Sequence, residues 1–188
     1  MASIKLTGDT SGEITISAPA VAGTNTLTLP AHTGTVMVDG PAFRAYQSTG
    51  QAVLNTTFTK IAFDTIAFDT ASCYDTVNYR FTPNVAGKYY VALSTTVDDG
   101  AGALRQAICR IYKNGTSIAL SKLNFDNSST SEGEGGTPTC ITIVDMNGSS
   151  DYLEGFVDVD TNDGGSCNIQ GDGTERHSRF SAYKLIGV

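Results

Sequence analysis

Apolar and polar residues alternate in short runs along most of this chain. Val77, Tyr79 and Phe81 fall at every second position, and so do Tyr89, Val91, Leu93, Thr95 and Val97. Such a period of two marks half-buried strands. Between these runs, Pro83 cannot donate to a ladder and stops the first, and Gly87 supplies the freedom a reversal needs. The pattern predicts two antiparallel strands of one sheet, over Tyr74 to Phe81 and Lys88 to Val97. Further strands are expected around Phe43 and Tyr46, over Thr59 to Asp64, at Phe68-Asp69, and from Leu104 to Tyr112 with Cys109 and Ile111 on one face. Thr116 to Phe125, Cys140 to Met146, Tyr152 to Asp160 and Arg179 to Ile186 complete the set. Asn114-Gly115 closes one tight type I′ hairpin, and Asn147-Gly148 is read as the turn of another. Asn127 to Gly136 reads as a polar loop. Many short strands and no helical period predict an all-β, two-sheet antiparallel sandwich of the jelly-roll kind.

The first forty residues differ. Four short β-prone runs, Ile4-Lys5-Leu6, Ile14-Thr15-Ile16, Leu27-Thr28-Leu29 and Val36-Met37-Val38, are separated by turn residues and carry almost no aromatic side chain. A segment this short cannot bury a core of its own. Its apolar residues need partners from other copies or from another surface. The chain therefore divides into a short-strand segment, 1–40, and a sandwich domain, 41–188.

Both parts resemble known families. Phe81-Thr82-Pro83, then Gly87 and Tyr89, resembles the core signature of complement/tumour-necrosis-factor-type jelly rolls. Phe63-Asp64, Tyr74-Asp75, Ile111 to Gly115, Gly155 with Val157 and Val159, and Phe180 to Leu185 match the same pattern. Tyr90-Val91 and Ala182 depart from it, and no collagen-like stalk precedes the domain. The resemblance implies a homotrimer that binds and does no chemistry. Gly8 to Ile16, Ala20 to Pro30 and Thr33 to Val38 resemble the N-terminal attachment or shaft segments of tailed-bacteriophage virion proteins. That resemblance implies a fibre, spike or capsid decoration protein of the virion, assembled in the host bacterial cytoplasm. Residues 1–40 would dock on capsid or tail proteins, and the head would contact a host cell-surface glycan or protein. The same head also suits a cellular soluble recognition protein.

Composition narrows the partners. A net charge of -7 argues against a nucleic acid backbone. No apolar run reaches the ~20 residues of a membrane span, and the N-terminus lacks a signal-peptide pattern, so neither membrane insertion nor secretion is expected. Cys73, Cys109, Cys140 and Cys167 are widely spaced, which argues against zinc. Without a secretion signal they read as free thiols, Cys109 and Cys140 as buried apolar groups. Four Asn-x-Ser/Thr sequons, at Asn55, Asn114, Asn127 and Asn147, are read as bare.

Candidate chemistry is sparse. His32 and His177 have no partner at metal or nucleophile spacing, and no catalytic fingerprint occurs. No catalytic or cofactor residues are assigned. Glu132 and Glu134 sit in a Gly-rich loop that preorganises poorly. The acidic run with Asp158, Asp160 and Asp163 resembles a calcium loop, but Gly164 falls one place late and Ile169 stands where a closing Glu belongs. It reads first as a strand end and turn, and second as a calcium site. Asp98-Asp99-Gly100 reads as a turn. The basic group Arg176, His177 and Arg179 is the candidate for binding a carboxylate, sulfate or sugar acid, against the plainer reading of an exposed loop. Tyr89, Tyr90, Tyr112 and Tyr183 read as core or interface residues before sugar-stacking ones.

Overall fold

The computed structural model describes residues 3–18, 20–21, 23–24, 26, 40–100, 103–125, 133–175 and 177–185. The chain divides into two units, Met1–Thr35 and Val36–Val188. The runs at 27–29 and 36–38, with His32, lie outside the described residues.

In the first unit, β1 (Ser3–Thr7) and β2 (Glu13–Ser17) form an antiparallel hairpin. Ile4 faces Ile16 and Leu6 faces Ile14, so all four share one side of the ribbon and all four are exposed. Lys5 pairs with Glu13 at 2.8 Å. A lone two-stranded ribbon of this length is at best marginally stable in water.

The second unit contains β3 (Ala42–Tyr46), β4 (Gln51–Val53), β5 (Thr59–Lys60), β6 (Thr65–Asp69), β7 (Tyr74–Asp75), β8 (Arg80–Phe81) and β9 (Gly87–Ser94). These are followed by β10 (Val97–Asp98), β11 (Leu104–Lys113), β12 (Thr116–Asn124) and β13 (Gly135–Gly136). The last four are β14 (Thr139–Met146), β15 (Leu153–Thr161), β16 (Cys167–Ile169) and β17 (Arg179–Lys184). One sheet runs β14-β9-β17-β3-β6; the other runs β12-β11-β15-β8-β7, with β5 also on β15. All ladders are antiparallel. A small third sheet, β13-β10-β16-β4, covers one end. The expected jelly-roll sandwich is the observed fold.

Alternation places Phe43, Phe180, Val91 and Leu93 from the first sheet against Phe81, Cys109, Ile111 and Val157 from the second, all buried. Phe43 is the hub. Its ring stacks on Tyr74 at 4.7 Å and Phe81 at 4.5 Å, and meets Phe180 edge-on at 5.2 Å. All four cysteines are free and buried.

Several sequence expectations are corrected. Tyr74 to Phe81 is not one strand. The Asp75 carboxylate accepts the backbone N–H of Val77 and of Asn78, at 2.8 and 3.0 Å, and so folds the segment into a turn. Val77 is 82% exposed, and Tyr79 takes a positive φ of 49°. Thr59 to Asp64 is a strand only at Thr59–Lys60. β8 and β9 do not pair; Arg80–Phe81 joins the second sheet and Gly87–Ser94 the first, so the intervening turn crosses the sandwich. The Asn147-Gly148 segment crosses too, because β14 pairs with β9 and β15 with β11. Asn147 Oδ1 accepts from the amides of Ser149, Ser150 and Asp151, which organises that crossing. Asn114-Gly115 is the predicted hairpin, with φ of 51° and 78°.

Candidate ligand-binding end and assembly face

The chain enters and leaves the sandwich side by side, since the Lys184 amide donates to the Pro41 carbonyl at 3.1 Å. The opposite end is closed by the small third sheet. In β16, Cys167 and Ile169 point inward and are buried, so Asn168 points out. The ladder places Asp98 on one side of Asn168 and Ala52 on the other, with Gly135 beyond Asp98. Small residues at both margins leave this outward row recessed.

Two shallow depressions meet at Asn168. One, of about 300 Å3, is lined by Gly50, Asn168, Gln170, Gly171, Asp172 and His177. The other, of about 260 Å3, is lined chiefly by Ala52, Asp98, Asp99, Gly100, Ser166 and Asn168. Glycine is required beneath the first. A Cβ at Gly171 would collide with the Thr49 backbone, whereas one at Gly50 would meet only the movable end of the Asn168 side chain.

The carboxylates here are held by their own loops. Asp98 accepts from the Gly100 amide at 2.9 Å and from Gln170 Nε2 at 2.8 Å. Asp99 accepts from the Ala103 amide at 2.6 Å. Asp172 Oδ1 accepts from the amides of Glu175 and Thr174, and these bonds hold its carboxyl below the usual carboxylate range. The Asn168 carboxamide makes no hydrogen bond among the described residues.

The structure separates the residues singled out from sequence. His177 lines the first depression and pairs with Glu175 at 3.0 Å. Arg179 is exposed at the start of β17, and Arg176 lies outside the described residues. Asp158 and Asp160 share the outward face of β15, opposite Ile108 and Gln106. Burial raises the Asp158 carboxyl above its ordinary value, with Arg110 partly opposing. Asp163 is engaged by its own turn, accepting from the Gly165 amide at 2.8 Å. Among the described residues, no three or more metal-ligating side chains gather. The recessed row of Asp98 and Asn168 was not found from sequence, because strands of two or three residues are too short to show a period.

A second feature is the outward face of the five-stranded sheet. Ile143, Tyr90 and Tyr183 lie in one cross-strand row, and Ile141, Ala92, Ser181, Arg44 and Phe68 in the next. Ile143 is 58% exposed, Ile141 54%, Tyr183 49% and Phe68 46%. Tyr112 lies outward on the other sheet, beside Phe156 at 4.4 Å, and Tyr89 is in the core. Around that pair the second sheet presents Arg110, Asp158, Glu154 and Lys60, together with the exposed Phe58, Ile118 and Leu120.

Known structures share this fold. The chain is similar to the Eiger TNF of S. frugiperda, at 12% identity over 79% of this chain and 94% of that one, with a TM-score of 0.58. It is similar to the globular domain of the zebrafish complement 1qA protein, at 11% identity over 77% and 97%, with a TM-score of 0.52. Murine APRIL matches at 5% identity over 78% and 100%, with a TM-score of 0.57. No protein-family model and no curated protein matches the sequence.

Proposed function

We propose that this chain is a non-enzymatic adhesive protein of a tailed-phage virion, acting as a homotrimer. Residues 1–40 dock on the particle and the head contacts the host surface. The observation that carries the assembly is the outward face of the five-stranded sheet. Ile141, Ile143, Tyr90 and Tyr183 form an apolar area of the kind that soluble monomers seldom leave open, with Phe68 beyond Ser181 and Arg44. In a closed ring each copy's face packs against a different patch of its neighbour, so the area is covered in every copy. The exposed Ile4, Leu6, Ile14 and Ile16 of the hairpin have the same need for partners. The phage assignment draws on the resemblance of residues 8–38 to virion attachment segments.

A cellular recognition protein is the second reading. It is favoured by the animal origin of the three similar structures. Immunogold labelling with an antibody raised against residues 41–188 separates the two. Gold on the tail tips of purified particles supports the adhesive reading, and gold over the capsid supports decoration. Particles without label, with the protein recovered only from the free soluble fraction, would overturn the virion assignment.

A further inference from the structure

The recessed end of the head combines three properties. Asp98 and Asp172 are fixed in place by backbone N–H groups, with lone pairs remaining on each, and Asp99 is held by the Ala103 amide. Its central residue, Asn168, carries an uncommitted donor and acceptor. The first depression is largely polar, the second mixes polar groups with Ala52 and Cys167, and neither presents a large aliphatic or aromatic anchor.

Each property removes a class of ligand. A protein partner generally needs a buried apolar or aromatic anchor at the centre of its footprint. An anion would meet Asp98, Asp99 and Asp172 on a chain of net charge -7. A cation would need a converging ligand set, and among the described residues none exists. An uncharged molecule with many hydroxyls fits. Its O–H groups donate to oriented carboxylates, and vicinal hydroxyls bridge the two atoms of a carboxamide. Preorganised acceptors reduce the ordering cost of such a ligand.

We infer that the depressions on either side of Asn168 are two adjoining subsites for consecutive residues of a neutral glycan, with Asn168 hydrogen-bonding to both sugars. Asp172 and Gln170 serve one subsite, and Asp98, Asp99 and Ser166 the other. This puts a neutral ligand in place of the anionic one that the basic residues at 176–179 suggested. It deepens the adhesive reading and rests on it for a biological purpose, while the binding chemistry is tested separately.

The test is saturation-transfer difference NMR on the full chain. The probes are maltose, cellobiose, lactose and mannobiose, each constituent monosaccharide, and 3′-sialyllactose. At least one neutral disaccharide should show transfer to both rings and bind more tightly than its monosaccharides. Sialylation should weaken binding of lactose. Asn168→Ala, at an exposed position, should keep the thermal midpoint and lower affinity by about fivefold or more, the worth of one or two hydrogen bonds. Silence from all four disaccharides, preference for the sialylated sugar, or undiminished binding by Asn168→Ala overturns the proposal. Native mass spectrometry on the same sample keeps the two readings apart. A trimer that ignores sugars defeats only the glycan subsites, and a monomer that binds them defeats only the assembly.

Discussion

The rings of Tyr90 and Tyr183 stack 5.1 Å apart on the outward face of the five-stranded sheet, from neighbouring strands in direct register. Ile143 stands opposite Tyr90 on the other side. The three make a continuous apolar bar. Replacing Ile143 with Arg places an unpaired cation at its end. Native mass spectrometry should give about three times the 19.7 kDa chain mass for the wild type and a single chain mass for Ile143→Arg. Because the side chain is exposed, far-UV circular dichroism should not change. A wild-type monomer would sink the assembly.

The aromatic hub sets the stability of the head. Phe43→Ala removes the ring that touches Tyr74, Phe81 and Phe180. It should cost about 3–5 kcal/mol in urea unfolding, through lost transfer energy and the residual cavity. Val77→Ala changes a side chain that sits in water and should leave the midpoint within about 0.5 kcal/mol of wild type.

Asp151 ties two turns together at the end where the chain enters. It pairs with Lys113 at 2.9 Å and accepts from Asn114 Nδ2 at 2.7 Å and the Asn147 amide at 2.9 Å. Lys113, then Asn114, holds its carboxyl below the ordinary value. A lowered folded value means the contribution is complete above the unfolded carboxylate value of about 3.9 and fades as pH falls through the folded one. The difference in melting temperature between wild type and Asp151→Asn should therefore be full at neutral pH and shrink in acid below that value. A difference that grows in acid would contradict the assignment.

The thiols should be silent in the folded protein. The neighbouring Cys140 thiol across the sandwich, together with burial, raises the Cys109 thiol well above the ordinary range. Burial also pushes Cys167 up to about 11. Dithionitrobenzoate should find no reactive thiol in the native chain and all four after denaturation. Recovery of only two would reveal a disulfide.

What could be read from sequence was local. Asn114-Gly115 declares its hairpin because both residues tolerate the positive φ that the turn imposes. Asn147-Gly148 carries the same dipeptide yet leads from one sheet to the other. Sheet membership depends on partners dozens of residues away, such as β9 for β14 and β11 for β15. The run through Val77 and Tyr79 kept a strand's period while the Asp75 side chain bent the backbone beneath it. The recessed end escaped for a related reason. Asp98, Asn168 and Ala52 become neighbours only when three strands of two or three residues are brought into register.

The side-by-side exit of Pro41 and Lys184 also has an evolutionary consequence. The connections at the far end, near Gly100, Gly164 and Gly173, link the long sandwich strands, whose pairing is fixed along their length, to the short strands of the third sheet. Those connections can drift, lengthen or be exchanged with little penalty to the ladders or to the apolar face beside Tyr90. Selection can thus retarget the head while its scaffold stays constant.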